Sequence, residues 1–452
     1  MKLPMPPPKI EKLLKDENKR VDMVRILELV LNGENKEADG NYLHWDKLRY
    51  KPLPDGMKDH EEWWLFLKFK RKSMFKTLPF EASHGQKFKY CTPDFLYQLL
   101  SEVDKKASGK VEISEQVSNR STRNRYLISS LMEEAITSSQ LEGASTTHKV
   151  AKDMLREKRK PQNKSEQMIF NNYHAMSHVR DLKNEQLSKK LILAIHKIVT
   201  EDTLEDKSAS GRFRTSRDEV AVYHESNNLL LHTPPPAEEL DARIERLCDF
   251  ANQVESTGEF LHPVIRSIML HFMIGYDHPF VDGNGRTARA IFYWSMIKHG
   301  YWMTEYISIS KILKNAPTKY ALAYLYTESD EFDMTYFVDF NLRVILRAID
   351  SLHEYLARKA DEVKSVESHI KNSELCKSLN YRQLALLSHA ARNSGSMYTI
   401  DTHGNSHNIS YPTSRSDLLK LTELGILEKF KRSKEFVFRA VDNLKEHLNN
   451  IE

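Results

Sequence analysis

Cysteine is scarce in this chain, with three residues among 452. Cys91, Cys248 and Cys376 are far apart and form no CxxC pair, so neither a disulfide framework nor a cysteine-rich zinc site is expected. Long apolar runs are missing as well. The most apolar stretch, residues 264–275, is interrupted by an arginine and a histidine and is shorter than the ~18–20 residues of a membrane helix. These absences predict a cytoplasmic protein without membrane association.

A large excess of charge of one sign is absent too. The chain has 67 Lys+Arg and 63 Asp+Glu, and its formal net charge is +4, so composition alone does not indicate a polyanion partner. Hydrophobic residues make up 40% and aromatic residues 10%, which is enough for substantial cores and excludes disorder throughout the chain. At ~100–200 residues per domain, the length predicts roughly two to four domains.

Helical periodicity dominates most of the sequence. Apolar residues recur at near-helical spacing between residues 10 and 31, and residues 124–356 have the pattern of helices separated by glycine and proline breaks. At 220–231 apolar residues alternate on both sides of a polar turn, which is typical of a short β-hairpin. The sequence therefore predicts a mainly α fold with an inserted hairpin.

The C-terminal part has a different order of elements. Its pattern predicts a helix at 382–392, a short strand at 397–400, a helix at 413–424 and a strand, turn and strand at 430–438. This order resembles a winged helix-turn-helix. From Lys371 onward there are 12 basic and 9 acidic residues, a net charge of +3, so DNA binding is left open and not required. Such modules also serve as protein-docking or dimer surfaces.

One polar loop between two apolar helices has the features of an anion site. It runs from His278 to Arg289 with the sequence HPFVDGNGRTAR. Gly283 and Gly285 let backbone amides approach a ligand closely, and the loop leads into a helix N-terminus, which favours phosphate. Arg286 and Arg289 are three residues apart, so they share a helix face and can reach the same charged ligand. The loop therefore predicts phosphate binding.

Two further side chains of this loop suggest chemistry on a bound phosphate. Mg²⁺ usually takes one or two carboxylates together with phosphate oxygens and water, a role that the single Asp282 can fill. His278 has an ordinary pKa near ~6.5, so it can accept a proton from a hydroxyl nucleophile at neutral pH. From the residues alone, the inference ends at nucleotide chemistry.

The loop also matches, without a departure, the signature HxFx(D/E)GNGRxxR of the Fic-domain family. Residues 193–196, 211–214 and 261–263 resemble flanking motifs of the same family, and the resemblance covers roughly residues 125–355. It implies a Fic-type helical core in which the hairpin is a flap over the active site. It also implies an enzyme that transfers AMP from ATP to a Ser, Thr or Tyr hydroxyl of a target protein or of itself.

The resemblance implies a role for each residue of the site. His278 is the catalytic base, Asp282 binds the Mg²⁺ between the α- and β-phosphates, and Phe280 anchors the loop in the core. The implied nucleotide-binding residues are Gly283, Asn284, Gly285, Arg286, Thr287, Ala288, Arg289, Leu231, His232 and Tyr320. The flap at 220–231 is implied to dock an extended target segment by strand addition, beside His278.

A second motif precedes the loop and resembles an inhibitory element, which is called the brake below. Ser138, Glu142 and Gly143 match the family's inhibitory pattern (S/T)xxxE(G/N), on a helix expected near 130–146. The resemblance implies that the Glu142 carboxylate lies beside Arg289 and takes up the charge that the γ-phosphate needs, so that ATP binds in an orientation unfit for transfer. A mostly silent enzyme is expected. Removal of AMP by the same site, with Glu142 orienting water, is left open.

Four domains are predicted: an N-terminal helical and aromatic extension (1–120), the Fic domain (121–356), a helical connector (357–379) and a winged-helix-like domain (380–452).

The expected partners are ATP, a hydroxyl-bearing protein and, if the last domain binds it, DNA; homo-oligomerisation stays open. One alternative is transfer of another phosphate-containing group, such as UMP. The other is a DNA-binding regulator that senses nucleotide without transferring it, but such a sensor has no need of a base at His278.

Overall fold

The computed structural model describes residues 2–15, 23–32, 41–108, 120–224, 227–253, 260–372, 378–392, 396–432, 435–441 and 444. The described residues within 1–112 and 124–350 form one compact unit, and those within 113–123 and 351–452 form a second. The mainly α fold with small sheets that the sequence predicts is confirmed. Among the described residues, no helix has both the length and the apolar character needed to cross a membrane.

The first unit begins with short helices and a two-stranded antiparallel sheet. These elements are α1 (Ile10–Lys15), α2 (Met23–Leu31), α3 (Trp45–Leu48), α4 (His60–Lys72), β1 (Lys76–Glu81), β2 (Lys87–Tyr90) and α5 (Asp94–Ala107). Buried polar side chains tie them to the later helices: Lys68 Nζ lies 2.7 Å from Asp330 Oδ1, and the Tyr42 hydroxyl donates to Asp333 Oδ2 at 2.6 Å. The described residues of the predicted N-terminal extension therefore belong to the same compact unit as the helical core.

The helical core follows, with a hairpin inserted in it. Its elements are α6 (Arg120–Leu141), α7 (His148–Glu157), α8 (Lys164–Asp181), α9 (Lys189–Thr200), β3 (Val222–His224), β4 (Leu229–His232), α10 (Leu240–Asn252), α11 (Pro263–Asp277), α12 (Asn284–Lys298), α13 (Ile309–Lys314), α14 (Pro317–Ser329) and α15 (Thr335–Asn372). β3 and β4 pair in antiparallel register, with Tyr223 opposite Leu230. Residues 225 and 226 of the predicted hairpin lie outside the described residues.

Helices α11 and α12 form the centre of this core. Nearly every residue of both helices is buried, including the polar ones, which is the pattern of a helix surrounded by protein on all sides. Pro263 occupies the first turn of α11, where its missing N–H is not needed. The buried hydroxyls of Ser267 and Ser295 join the two helices at 2.8 Å. The connection between these central helices is the predicted polar loop.

The second unit contains a three-stranded sheet with strand order β5-β7-β6. Its elements are α16 (Tyr381–Arg392), β5 (Met397–Thr399), α17 (Ile400–His407), α18 (Tyr411–Glu423), β6 (Leu427–Arg432) and β7 (Glu435–Ala440). α17 is not predicted by the sequence pattern. Thr399 and Thr402 form a reciprocal capping box at its start, but the helix is short, largely polar and contains Gly404, so it has little hydrophobic periodicity to detect.

Candidate active site

The loop between α11 and α12 is bounded by two left-handed residues. His278 caps α11 with φ 44° and ψ 57°, and its amide donates to the Ile274 carbonyl at 3.1 Å. Gly283 precedes α12 with φ 84°. A Cβ on Gly283 would lie 2.8 Å from Cγ2 of Thr200, so both the backbone angle and the space require glycine there. These two bends fold the intervening residues into a tight loop.

The side chain of Asn284 closes the loop on itself. Its Oδ1 accepts from the amide of Phe280 and its Nδ2 donates to the carbonyl of Phe280, both at 2.9 Å. Asn284 is 3% exposed, and Phe280 is fully buried. Since both backbone groups of Phe280 are removed from water, the Asn284 amide gives them the partners they would otherwise lack. Asn284 therefore fixes the shape of the loop with its side chain.

His196 of α9 supports the loop from behind. Its ring stacks on Phe280 with centroids 3.7 Å apart and planes 3° apart. Nε2 donates to the Asp282 carbonyl at 2.9 Å, and Nδ1 accepts from the Gly211 amide at 3.0 Å. This pair of contacts suits a neutral imidazole, and burial lowers the pKa of His196 to about 4. The ring therefore stays uncharged and holds the backbone at Asp282.

Arg214 holds the other end of the loop. Its Nε donates to the His278 carbonyl at 2.8 Å, its Nη2 donates to the Asp277 carbonyl at 3.2 Å, and its backbone amide donates to the Pro279 carbonyl at 2.8 Å. Arg214 and His196 lie within the flanking motifs of the sequence, but the motifs alone indicate no role for either residue. Their signal in the sequence is those motifs alone, because the contacts they make join residues far apart in the chain.

The imidazole of His278 has one nitrogen fixed and the other available. Nδ1 donates to the Gly275 carbonyl at 3.1 Å, since a carbonyl can only accept. Nε2 therefore carries the lone pair. Burial lowers the pKa of His278 to about 4, with the Gly275 contact opposing the shift. The ring is therefore neutral at physiological pH and able to accept a proton.

Arg286 and Asp282 form a pair at the mouth of the loop. Nη2 of Arg286 lies 3.4 Å from Oδ1 of Asp282, and Nη1 donates to the Val199 carbonyl at 2.7 Å. The arginine is fully buried, whereas the Asp282 side chain is 47% exposed. Burial lowers the pKa of Arg286, but its ordinary value is so high that it keeps its charge. The pair thus combines a buried cation with an accessible carboxylate.

Arg289, one turn further along α12, is held by the predicted inhibitory residues. Its Nε donates to Oγ of Ser138 at 2.8 Å, and its Nη2 donates to the Ser138 carbonyl at 3.1 Å. Nη2 also lies 2.8 Å from Oε1 of Glu142. Burial acts to lower the pKa of Arg289, but Glu142 and the other nearby acidic groups outweigh it and raise the pKa. Arg289 is 1% exposed, so this is a largely buried ion pair.

Gly143 explains how Glu142 reaches its position at the end of α6. Gly143 has φ 90°, its amide donates to the Gln140 carbonyl at 3.2 Å, and the Ala144 amide donates to the Ser139 carbonyl at 3.0 Å. These two bonds form the Schellman motif, which needs a left-handed residue and therefore favours Gly or Asn. The helix therefore ends at Leu141, and Glu142 is its C-cap residue.

Gly285 leaves room for the Glu142 carboxylate. A Cβ on Gly285 would overlap Oε1 of Glu142, lie 2.7 Å from its Cδ and lie 3.0 Å from Nη1 of Arg289. Real Cβ atoms do not approach other atoms this closely. The carboxylate therefore lies over the first turn of α12, where the free amides and the positive end of the helix dipole favour an anion.

Several buried donors around the loop fit a phosphate ligand. Nε of Arg286, Nη1 of Arg289 and Oγ1 of Thr287 have no hydrogen-bond partner among the described residues. Unpaired buried donors are costly, and phosphate oxygens are strong acceptors that would satisfy them. Among the described residues, no group of three or more His, Cys, Asp or Glu side chains is arranged to hold a metal by itself. Binding of Mg²⁺ by Asp282, together with phosphate and water ligands, stays a prediction.

The remaining predicted nucleotide-binding residues lie around the loop with partners of their own. His232 on β4 makes contacts with the protein through both ring nitrogens, to Glu328 Oε2 at 2.8 Å and to the Tyr276 carbonyl at 2.7 Å. The Tyr320 hydroxyl lies 2.8 Å from Nε2 of His271. Leu231 is half-buried on β4 and Ala288 is buried within α12. A nucleotide role for these four residues stays a prediction.

Part of this chain is similar to known proteins. Residues 186–296 match the family model of the Fic/DOC family. A protein adenylyltransferase Fic from Nematostella vectensis is 29% identical over 119 residues, which is 26% of this chain and 25% of that protein. One from Drosophila willistoni is 32% identical over 116 residues, which is 26% of this chain and 21% of that protein. The family resemblance that the loop motif predicts is thus confirmed for this segment.

These matches are partial. The chain spans about a quarter of the length of the curated relatives it matches. Among solved structures, it is similar to a Fic family protein from Desulfovibrio desulfuricans G20, with 20% sequence identity and a TM-score of 0.49, over 78% of this chain and 98% of that one.

Proposed function

Because residues 186–296 carry a Fic/DOC domain, we propose that this chain is an autoinhibited protein adenylyltransferase. It transfers the AMP part of ATP to a Ser, Thr or Tyr hydroxyl of a target protein or of itself. The proposal depends chiefly on one observation, which is that Glu142 and Ser138 hold Arg289 beside a loop that presents a neutral His278. The curated relatives named protein adenylyltransferase Fic support the chemistry.

In the proposed reaction, the target hydroxyl oxygen attacks the α-phosphorus of ATP. The new oxygen–phosphorus bond forms as the bond from the α-phosphorus to the bridging oxygen breaks, and pyrophosphate leaves. The hydroxyl proton passes to Nε2 of His278, the nitrogen that the Gly275 contact leaves unprotonated. Since Arg214 holds the carbonyl of His278 and Asn284 holds the backbone of Phe280, the base is held in place without help from the substrate.

The phosphates are proposed to lie against the first turn of α12. Arg286 and Arg289 offer buried guanidinium groups with free N–H donors, and the glycines at 283 and 285 keep this surface open to the ligand. Asp282 is the residue that would hold a Mg²⁺ ion arriving with the nucleotide, and the ion would supply neutralisation of phosphate charge. Positioning and charge stabilisation supply most of the acceleration in reactions of this kind.

The flap is the proposed docking site of the target segment. Within the described part of the chain, β3 and β4 form a sheet of two strands, and an extended segment of the target would be added to it as a third strand. His232 ties β4 to the carbonyl of Tyr276, two residues before His278. A segment added to this sheet would therefore lie in a fixed relation to the catalytic base.

The proposal is tested by labelling with two forms of ATP. Wild type, Glu142→Gly and Glu142→Gly/His278→Ala proteins are incubated with α-labelled or γ-labelled ATP and Mg²⁺, alone and in lysate. Glu142→Gly is expected to take up label from the α position only and at least ~10-fold faster than wild type, because about 1.4 kcal/mol of lost inhibition is enough for a tenfold change. The double variant is expected to be silent.

Three results would count against the proposal. Label from the γ position would indicate a kinase. Equal labelling of wild type and Glu142→Gly would contradict inhibition by Glu142. Labelling of the double variant would contradict the role of His278 as the base. Unlabelled UTP competing as well as ATP would favour the alternative of UMP transfer. Release of AMP from a modified target by the wild-type protein would show that the same site also catalyses the reverse activity, with Glu142 orienting the water.

The cytoplasmic location stays a prediction.

A second candidate function is DNA binding by the winged-helix-like second unit. α18 has a single carboxylate in its first three turns, Asp417, and this group is buried against Arg382 (2.7 Å), Asn380 (2.8 Å) and His403 (3.1 Å). The exposed surface of those first three turns therefore carries no acidic side chain, and Lys429 and Lys431 are exposed on β6. The exposed residues of α18 are Tyr411, Pro412, Thr413, Arg415, Ser416, Lys420 and, at its C-terminal end, Glu423. Such a surface suits phosphate contacts, and binding of a random duplex at low salt tests it.

A further inference from the structure

Three residues at the C-terminal end of α6, Glu134, Ser138 and Glu142, are spaced one helical turn apart, and each contacts α12. Glu142 lies over Gly285 and pairs with Arg289, and Ser138 accepts from the same arginine. One turn earlier on α6, Glu134 accepts from the hydroxyl of Tyr293, which is one turn later on α12. The two helices thus run antiparallel in register, and side chains four residues apart on α6 meet side chains four residues apart on α12.

Glu134 is the most heavily bonded member of this row. Its Oε2 accepts from the Tyr293 hydroxyl at 2.9 Å, from Oγ of Ser308 at 2.7 Å and from the amide of Ser310 at 3.1 Å. Its Oε1 accepts from Oγ of Ser310 at 2.5 Å. Glu134 is 1% exposed, and among the described residues no lysine, arginine or histidine forms an ion pair with it. A buried carboxylate without a cation partner depends on its donors, so this geometry tolerates little movement.

The structure joins Glu134 to Glu142 by a rigid element. Both lie on one face of α6, eight residues apart, and the helix continues without a break to Leu141 before the turn at Gly143. If Glu134 leaves its donors, α6 can shift along or away from α12, and the Glu142 carboxylate then moves off Arg289. From this we infer that Glu134 is a positioning residue of the brake, holding α6 in the register that puts Glu142 on Arg289. This inference rests on the proposed function for its activity readout.

The same cluster reaches a second element near the site. Ser308 is the N-cap of α13, and Ser310 lies in its first turn. α13 is followed directly by α14, which carries Tyr320. Burial raises the pKa of the Tyr320 hydroxyl, and the nearby Arg289 opposes this shift. Tyr293 also accepts from the amide of Ile309 at 2.9 Å, so its hydroxyl bridges α6 and α13. Glu134 therefore sets the position of α6 against two neighbours at once.

Glu134→Gln is the direct test, because glutamine has nearly the same shape as glutamate. Its amide NH₂ group would lie among the hydroxyls and the backbone amide that donate to Glu134, and it cannot accept from them. Auto-AMPylation is measured for wild type, Glu134→Gln, Glu142→Gly and the double variant. Glu134→Gln is expected to raise the wild-type rate by at least 5-fold, and to add less than 2-fold in the Glu142→Gly background. Tyr293→Phe, which removes one donor, is expected to act in the same direction more weakly.

Glu133→Gln is the matched control. Glu133 is the preceding residue of α6, and its carboxylate lies 2.7 Å from Nε2 of His148 and 3.8 Å from Nζ of Lys311 on α13. Among the described residues it makes no hydrogen bond or ion pair with α12. This variant is expected to stay within 2-fold of wild type. Hydrogen exchange of the amides of residues 138–142 is measured in parallel, and it is expected to rise in Glu134→Gln and stay unchanged in Glu133→Gln.

The outcomes separate this inference from the proposed function. An active Glu142→Gly with a silent Glu134→Gln overturns the inference and leaves the function standing. Equal loss of activity from Glu134→Gln in both backgrounds overturns it as well, since that is the effect of a purely structural residue. If Glu142→Gly is itself inactive, the proposed function fails. In that case the hydrogen-exchange measurement alone tests the inference. Unchanged exchange of the amides of residues 138–142 in both Glu134→Gln and Tyr293→Phe overturns it.

Discussion

Replacement of Asn284 by alanine probes the shape of the catalytic loop without touching the base, the carboxylate or the arginines. In the structure the Asn284 side chain receives the Phe280 amide and donates to the Phe280 carbonyl, both at 2.9 Å. Alanine can do neither. Since Phe280 is fully buried, its two backbone groups have no direct access to water in the variant.

The expected loss of stability follows from these two bonds. Each buried polar group left without a partner costs about 1–3 kcal/mol. Alanine is the better helix former at the first residue of α12, which offsets up to about 0.7 kcal/mol. The free energy of unfolding is therefore expected to fall by about 1–5 kcal/mol. At about 2–4 °C per kcal/mol for larger domains, Tm should fall by roughly 3–20 °C.

The assay is thermal unfolding with and without ATP, followed by auto-AMPylation in the Glu142→Gly background. Asn284→Ala is expected to lower Tm, to reduce the stabilisation that ATP gives and to slow transfer, because His278 and the first turn of α12 lose their common support. Asn315→Ala, at the exposed end of α13, is the control and should melt within ~1 °C of wild type, as surface substitutions do. If Asn284→Ala also melts within ~1 °C of wild type, the reasoning on the loop is wrong.

Two further predictions concern pH and salt. Because burial lowers the pKa of His278 to about 4 and the neutral ring is the active form, auto-AMPylation by Glu142→Gly should be flat across neutral pH and decline only as pH falls toward that pKa; an acid limb centred on the ordinary value of 6.5 would contradict this. If the second unit binds random duplex, affinity should weaken with salt, and Arg415→Ala should reduce the log–log slope by about 0.9, as expected for one lost phosphate contact. Absence of binding at ~50 mM salt would dismiss that surface.

The parts of the site that are local in sequence could be predicted, and those that join distant segments could not. The loop from His278 to Arg289 is continuous, so its glycines, base and charges are visible as one motif. Asn284 is also visible there, but only the structure shows that its side chain pairs with Phe280. The bonds from Arg214 cross more than sixty residues, and no local pattern specifies such a partner.

The fold shows the same limit in a different form. Long helices such as α11 and α12 are predicted by apolar content, and the flap by its alternation and polar turn. α17 was missed because capping, not burial of an apolar stripe, defines its start. The N-terminal elements pack on the later helices through Lys68 and Asp330, a buried pair whose two members are each ordinary charged residues in the sequence.

The arrangement around Arg289 bears on how the brake acts. A guanidinium has its donors in one plane, and here Ser138 and Glu142 engage Nε and Nη2 while Nη1 has no partner among the described residues. The arginine is therefore restrained along one edge and still able to donate along the other. A phosphate can meet that second edge with Glu142 in place, but it must do so from a different direction than if the carboxylate were absent. On this geometry we expect the proposed inhibition by Glu142 to act on the orientation of a bound nucleotide more than on its binding. A rise in the transfer rate, and not in affinity alone, is therefore the expected result of its removal.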